Sequence, residues 1–238
     1  MKIALLGYGK MGEQVEILAY EKKHEIVAFI DDVTDWEKYN GHFLTADVAI
    51  DFSTPEVVVD NIYKCFNANM PVVVGTTGWY ERLEEVKQQC LALNQTLFYA
   101  SNFSLGINLF FELSRKLAQL MNGHEEYDVS IEETHHTAKQ DSPSGTAIVL
   151  ANDIIKYLSH KESWINEMND IKSELSIKSQ RIEDRIGTHI VTYTSPMDEI
   201  EIKHSSFNRK AFATGAMAAA EWIIGKKGVY HMKDMLKL

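Results

Sequence analysis

The feature that most constrains this chain is the alternation with which it opens. "KIALLG" (2–7) is a short apolar run that stops at a glycine, and "MGEQVEILAYEKK" (11–23) carries Val15, Leu18 and Ala19 at helical spacing. "EIVAFIDD" (25–32) is β-branched and ends in two aspartates. Strand, glycine turn, helix, strand and acid within roughly thirty residues is the pattern of a parallel βαβ unit. The alternation continues. "DVAIDFS" (47–53), "PVVVGTTG" (71–78) and "TLFYASNFS" (96–104) read as strands. "PEVVVDNIYKCFNAN" (55–69), with proline in its first turn, and "YERLEEVKQQCLALN" (80–94) read as helices. Strands that are apolar throughout imply a parallel sheet covered on both faces.

After Ser104 the texture changes. "LGINLFFELSRKLAQLM" (105–121) predicts a long helix, and "EYDVSIEETHH" (126–136) a strand with one wet face. "GTAIVLANDIIKYL" (145–158) predicts a helix, and the polar stretch 160–175 a loop with weak helix. "SIKSQRIED", "THIVTYTS" and "DEIEIKHSS" read as successive strands joined by short turns, hence antiparallel. "KAFATGAMAAAEWIIG" (210–225) is a small-residue helix suited to tight packing, followed by a short tail. The expected fold class is α/β: a Rossmann-type doubly wound parallel sheet plus a second, α+β domain with a mostly antiparallel sheet. The boundary falls near Phe103–Leu105, with no Pro/Gly linker, internal repeat or low-complexity segment.

At 238 residues, 45% hydrophobic and 24% charged, the chain can bury a real core. A net charge of −10 with no long basic run argues against nucleic acid or an anionic membrane as partner. An anionic substrate therefore needs a local basic pocket. Cys65 and Cys90 lack CxxC spacing and fall in helical segments, so they read as reduced structural thiols. No targeting segment or membrane span is visible, and the cytoplasm is the expected compartment.

"GYGKMG" places Gly7, Gly9 and Gly12 in G-x-G-x-x-G spacing between a strand and a helix, with acids about twenty residues further on. Gly7 permits the tight turn, Gly9 lets the backbone approach a pyrophosphate, and Gly12 allows close helix–sheet packing, with the helix N-terminus facing the negative charge. Asp31 stands where an acid accepts hydrogen bonds from an adenosine ribose, which favours NADH. Lys10 pulls toward NADPH, because a cation could reach a 2′-phosphate. Asp32 reads as solvated surface. "GTTG" (75–78) and "ASNFS" (100–104) end strands, where ligands of open α/β sheets gather.

"ETHHTAKQDSPSGTA" (133–147) concentrates proton donors and anion binders between a strand and a helix. Adjacent imidazoles seldom converge on one ion and no third ligand lies at a suitable local spacing, so no metal is expected. His135 and Lys139 fall on one side if the segment makes a helical turn, and each can donate a proton or a charge-assisted hydrogen bond. Ser144, Gly145 and Thr146 open the following helix, whose free N–H groups suit a carboxylate. With a nicotinamide site in the first domain, the natural substrate is a small carboxylate that receives hydride and then a proton. A non-catalytic dinucleotide sensor, or another two-domain dehydrogenase of amino or hydroxy acids, would also retain the glycine turn.

"EETHHTAKQDSPSGTA" resembles the signature of the 4-hydroxy-tetrahydrodipicolinate (dihydrodipicolinate) reductases of the bacterial lysine and diaminopimelate pathway. "GYGKMG", "DFSTPE", "VVVGTTGW", "ASNFSLGIN", "RIEDRIGTH" and "HSSFNRKAFATGAMAAAEWI" resemble further segments of that family in order, over nearly the whole chain. The resemblance implies His135 as proton donor and acceptor and Lys139 as proton donor. It implies a dicarboxylate bound by His136, Gly145 and Thr146. NADH or NADPH would be lined by Gly7, Tyr8, Gly9, Lys10, Met11, Gly12, Asp31, Gly75, Thr76, Thr77, Ala100, Ser101, Asn102 and Phe103. It also implies a nucleotide domain of 1–104 with 210–238, and a substrate domain of 105–209 that forms a homotetramer. Arg181 and Arg209 are candidate helpers for the carboxylates, Arg181 equally a surface salt bridge. The chain departs from the family pattern in a glycine loop one residue shorter, with Lys10 where arginine is common. It departs again in Asp32 after the strand-end acid, and in Ser101 where proline or alanine is frequent.

Overall fold

The computed structural model describes residues 1–208 and 210–238. In chain order the elements are β1 (Lys2–Leu6), α1 (Lys10–Glu21), β2 (Glu25–Ile30), α2 (Val33–Phe43), β3 (Val48–Asp51), α3 (Val58–Asn67), β4 (Val72–Val74), α4 (Leu83–Ala92) and β5 (Thr96–Tyr99). Then follow α5 (Leu105–Met121), β6 (Asp128–His135), α6 (Gly145–Tyr157), β7 (Ser163–Ile165), β8 (Glu174–Arg181), β9 (Gly187–Thr194) and β10 (Glu199–Ser206). The chain ends in α7 (Lys210–Ile223), β11 (Gly228–Tyr230) and α8 (Met232–Leu236). Two compact units result: Met1–Leu105 with Arg209–Leu238, and Gly106–Asn208. No helix among the described residues is long and apolar enough to cross a membrane.

The first unit holds a six-stranded sheet in the order β11-β5-β4-β3-β1-β2, every pair parallel. Strand side chains alternate between faces, and β1 shows why both faces must be covered. Ile3 and Leu5 join the core shared with α1 and α7, whereas Ala4 and Leu6 join the core built with α3 and α4. The small residues of α7 serve close approach: a Cβ on Gly215 would lie 1.8 Å from the Phe103 carbonyl oxygen. Two elements of this unit escape sequence patterning. Helix α2 has little apolar periodicity, with Phe43 its one buried residue. Strand β11, read as tail, is three residues long and pairs with β5. Cys65 and Cys90 are free and buried. Burial pushes both thiols up, Cys90 to about 11.

The second unit holds a sheet in the order β10-β9-β6-β8-β7. Strand β9 pairs antiparallel with β10 along its whole length and with β6 along all but its first residue, which makes the larger share of the sheet's paired residues antiparallel. The strands of "SIKSQRIED", "THIVTYTS" and "DEIEIKHSS" do run in alternating directions, but the first is not bonded to the second: β8 pairs parallel with β6 on one side and with β7 on the other. Strand β6 lies between β8 and β9, so the short turn that joins them does not make a hairpin. The expected weak helix in 160–175 is likewise replaced by β7, whose Trp164 packs against the unit's core. Helices α5 and α6 bury Ile107, Phe110, Leu150 and Ile154 against Val129, Ile131, Ile177 and Val191 of the sheet.

Candidate active site

In the first unit, β1 lies between β2 and β3, and the chain passes to opposite sides of it. Ligands of open parallel sheets bind at such a switch point, outside the strand carboxyl ends. Gly7 adopts φ +86°, and a Cβ there would lie 2.4 Å from the Phe52 carbonyl oxygen. A Cβ on Gly12 would lie 2.6 Å from the Gly7 oxygen, whereas nothing stands within 4 Å of the Cβ position of Gly9. Gly7 and Gly12 are thus required by packing, and Gly9 leaves the turn open. The N-terminus of α1 begins at Gly9 with no side-chain cap, so its N–H groups remain for an anion. A cleft of ≈ 420 Å³ beside it is lined by Gly9, Lys10, Met11, Phe52, Ser53, Pro55, Gly75, Thr76 and Thr77. These features fit a dinucleotide pyrophosphate.

Asp31, just past β2, is exposed. Its Oδ1 accepts from the Tyr8 backbone N–H at 2.7 Å, which ties the glycine turn to the second strand. Asp51, unmarked by sequence reasoning, is fully buried at the end of β3. Its carboxylate accepts from the Ser53 N–H and hydroxyl, Thr76 Oγ1 at 2.7 Å and Asn61 Nδ2 at 2.9 Å. Burial pushes its carboxyl up against these hydrogen bonds. It holds the loops after β3 and β4 in register around the cleft. Ala100 and Phe103 are buried and Ser101 is exposed. Phe103 stacks on Phe98, so its ring belongs to the core. Asn102 Oδ1 accepts from the Ser104 N–H at 2.9 Å and shapes the end of that loop.

In the second unit, β6 delivers Glu133 and His135 to one end of the sheet. His135 is 7% exposed and Glu133 0%, as inward-facing residues of one strand two apart should be. His135 Nδ1 lies 3.2 Å from Glu133 Oε2, and His189 of β9 stacks edge-on to His135 with ring centres 5.0 Å apart. Gly187 makes room for this pair, since a Cβ there would meet His135 Nε2 at 3.0 Å. Ser144 caps α6: its Oγ accepts from the Ala147 N–H and lies 3.2 Å from His189 Nε2, while its own N–H donates to Glu133 Oε1 at 3.0 Å. Burial pushes the Glu133 carboxyl up, but the adjacent His135 ring and the hydrogen bond from Ser144 outweigh it and hold the group well below the usual range. Burial and the neighbouring His135 lower His189 to about 3.

Residues 136–139 form a tight turn, closed by the Lys139 N–H donating to the His136 carbonyl at 3.1 Å. Lys139 donates to both carboxylate oxygens of Asp141, at 2.7 and 2.8 Å. His135 is therefore buried among Glu133 and His189, and Lys139 is held by Asp141 at the surface side of the same loop. Gly145 is exposed and Thr146 half-buried in the first turn of α6. Arg181 is no surface salt bridge. It sits opposite His135 in the β6–β8 register and donates to Glu133 Oε1 at 3.3 Å, the Lys139 carbonyl at 3.3 Å and the Asp141 carbonyl at 2.5 Å. It clamps the loop to the strand. Arg209 lies outside the described residues. Glu133, His135 and His189 each present one ligating atom within 4.8 Å of the others. The local spacing of the two adjacent histidines did not reveal that grouping, because its third member comes from β9.

The residues 1–103 match the family model described as dihydrodipicolinate reductase, N-terminus, and 106–236 the model described as dihydrodipicolinate reductase, C-terminus. A 4-hydroxy-tetrahydrodipicolinate reductase of Christiangramia forsetii is 47% identical over 236 residues, covering 99% of this chain and 98% of that protein. One from Staphylococcus saprophyticus is 33% identical, covering 99% and 100%. Among solved structures, dipicolinate-bound dihydrodipicolinate reductase from Paenisporosarcina sp. TG-14 aligns with a TM-score of 0.75 at 25% identity, covering 98% of each chain. Both halves of the chain and its full length carry the same likeness, and it belongs to the dihydrodipicolinate reductase family.

Proposed function

We propose that this chain reduces 4-hydroxy-tetrahydrodipicolinate to tetrahydrodipicolinate in lysine and diaminopimelate biosynthesis, with NADH or NADPH as reductant. The observation that carries this reading is the β6–α6 loop. It gathers a buried imidazole, an ammonium and a helix start in a chain whose other unit presents an uncapped glycine turn. Gly7–Gly12, Asp31 and Gly75–Thr77 would hold the dinucleotide, which would supply the hydride. The substrate's carboxylates are seated by His136, Lys139 and the Gly145–Thr146 helix start that Ser144 caps, by charge-assisted hydrogen bonds. Loss of the C4 hydroxyl together with a proton of the adjacent carbon, as water, leaves a C=C bond conjugated to the ring C=N; a hydride from the bound cofactor would add at C4, and Lys139 or His135 would return a proton to that adjacent carbon. Glu133 and Arg181 orient the loop. By the family resemblance the chain is a homotetramer assembled through the second unit, and the cytoplasm is its expected compartment.

The test is loss of reduced-nicotinamide absorbance with substrate generated in place by the preceding synthase. Turnover that requires the substrate is expected. Activity with an amino or hydroxy acid and none with this substrate would overturn the proposal.

A further inference from the structure

The loop after β2 carries an arrangement that bears on which dinucleotide the first unit accepts, and the inference rests on the dinucleotide reading of that unit. Asp32 is the N-cap of α2. Its Oδ1 accepts from the Thr34 N–H at 2.7 Å, the Thr34 hydroxyl at 2.6 Å and the Asp35 N–H at 3.2 Å. Asp35 answers in kind: its Oδ2 accepts from the N–H groups of Asp31 at 3.0 Å and Asp32 at 3.4 Å. This reciprocal box satisfies N–H groups that a helix start otherwise offers to an anion. The two helix starts that follow β1 and β2 are therefore opposites. That of α1 has no side-chain cap, and that of α2 is closed by a carboxylate.

The cations nearby do not reverse this. Lys10 lines the cleft beside Phe52, Ser53 and Gly75, and neither of the two clefts that contain Asp31. One of these is lined by Tyr8, Phe29, Asp31, Asp35, Lys38 and Tyr39. There Lys38 lies over the Tyr39 ring, 3.9 Å from Asp35. In the second cleft that Asp31 lines, Lys64 sits over the Trp36 ring and faces Asp31, Asp32 and Asp60, three carboxylates to one ammonium. A ribose diol needs only an acceptor, and the exposed carboxylate of Asp31, which accepts from the Tyr8 N–H through Oδ1, can supply one. A 2′-phosphate would bring nearly two further negative charges to a place that already holds Asp31, Asp32 and Asp35.

We infer that the chain selects NADH over NADPH, and that Asp32 is the discriminating side chain, because its carboxylate both repels a 2′-phosphate and occupies the helix start that would bind one. Hydrogen bonds from Thr34 hold the Asp32 carboxyl below its usual range, so the charge persists at any working pH.

The experiment is calorimetric titration of the full chain with NADH and with NADPH, on the wild type and on Asp32→Asn. Asparagine caps a helix as well as aspartate does, and thermal melts of both proteins check that α2 is kept. NADH is expected to bind at least about tenfold tighter than NADPH at low salt, the gap narrowing as salt screens exposed charges. Asp32→Asn is expected to narrow the gap by tightening NADPH while leaving NADH within about twofold. Equal or tighter NADPH binding by the wild type would overturn the inference alone. So would an Asp32→Asn variant that changes both affinities equally. If neither nucleotide binds, the dinucleotide reading of the first unit falls, and the inference falls with it.

Discussion

At the scale of single residues, the two proton-bearing groups of the second unit sit in different environments. Lys139 is held by a bidentate contact to Asp141, in a loop that Arg181 clamps through backbone carbonyls. Substituting Lys139 by alanine is expected to lower kcat on the order of 10²–10⁴-fold, as loss of a positioned general acid does. Cofactor affinity should stay unchanged, because Lys139 belongs to the other unit. Near-normal kcat in steady-state kinetics would remove Lys139 from the role. His189 is buried and neutral, lowered to about 3 from its ordinary 6.5. Protonation is then easier in the unfolded chain than in the folded one. Its contribution to stability is complete above the ordinary value and is lost as pH falls from about 6.5 toward about 3. His189→Gln should flatten the acid side of the stability–pH profile measured by urea unfolding. An unchanged slope would show that His189 is not a source of acid sensitivity.

At the scale of elements, two helices illustrate how local and long-range effects trade. Helix α2 has a weak apolar stripe and is defined by its cap, so Asp32→Ala should destabilise the first unit by about 1 kcal/mol, where Asp32→Asn does not. Helix α7 presents the reverse case. Alanine at Gly215 would raise intrinsic helix stability by about 1 kcal/mol. Yet its Cβ would fall 1.8 Å from the backbone oxygen of Phe103. That neighbour is main chain in a buried segment and cannot swing aside, so overpacking of about 1–3 kcal/mol or more should win. Gly215→Ala is expected to lower the denaturant midpoint, and a raised midpoint would show that α7 is looser than its packing indicates. The "DDVTD" capping signal was present in the sequence and could have located α2. Periodicity alone passed over it, because capping is a hydrogen-bond pattern and not a hydrophobic one.

For the whole molecule, ligand binding and stability are linked. A reduced dinucleotide at one hundred times its Kd should stabilise the folded chain by about 2.7 kcal/mol. The melting temperature should therefore rise with cofactor concentration in a thermal scan, and a concentration-independent melt would mean that the glycine turn holds no dinucleotide. The amino-acid sequence by itself determined the βαβ alternation, the glycine turn and the histidine–lysine loop. Each is written in periodicity or residue type over a few neighbouring positions, and backbone sterics act at that range. Only the tertiary structure decided that β8 lies against β6 instead of β9. Only it sent β11 to the edge of the first sheet, and it alone brought Glu133, His189 and Arg181 around His135. Strand pairing is chosen by which apolar faces can be buried together across dozens of residues. No local pattern distinguishes the partner selected from those refused.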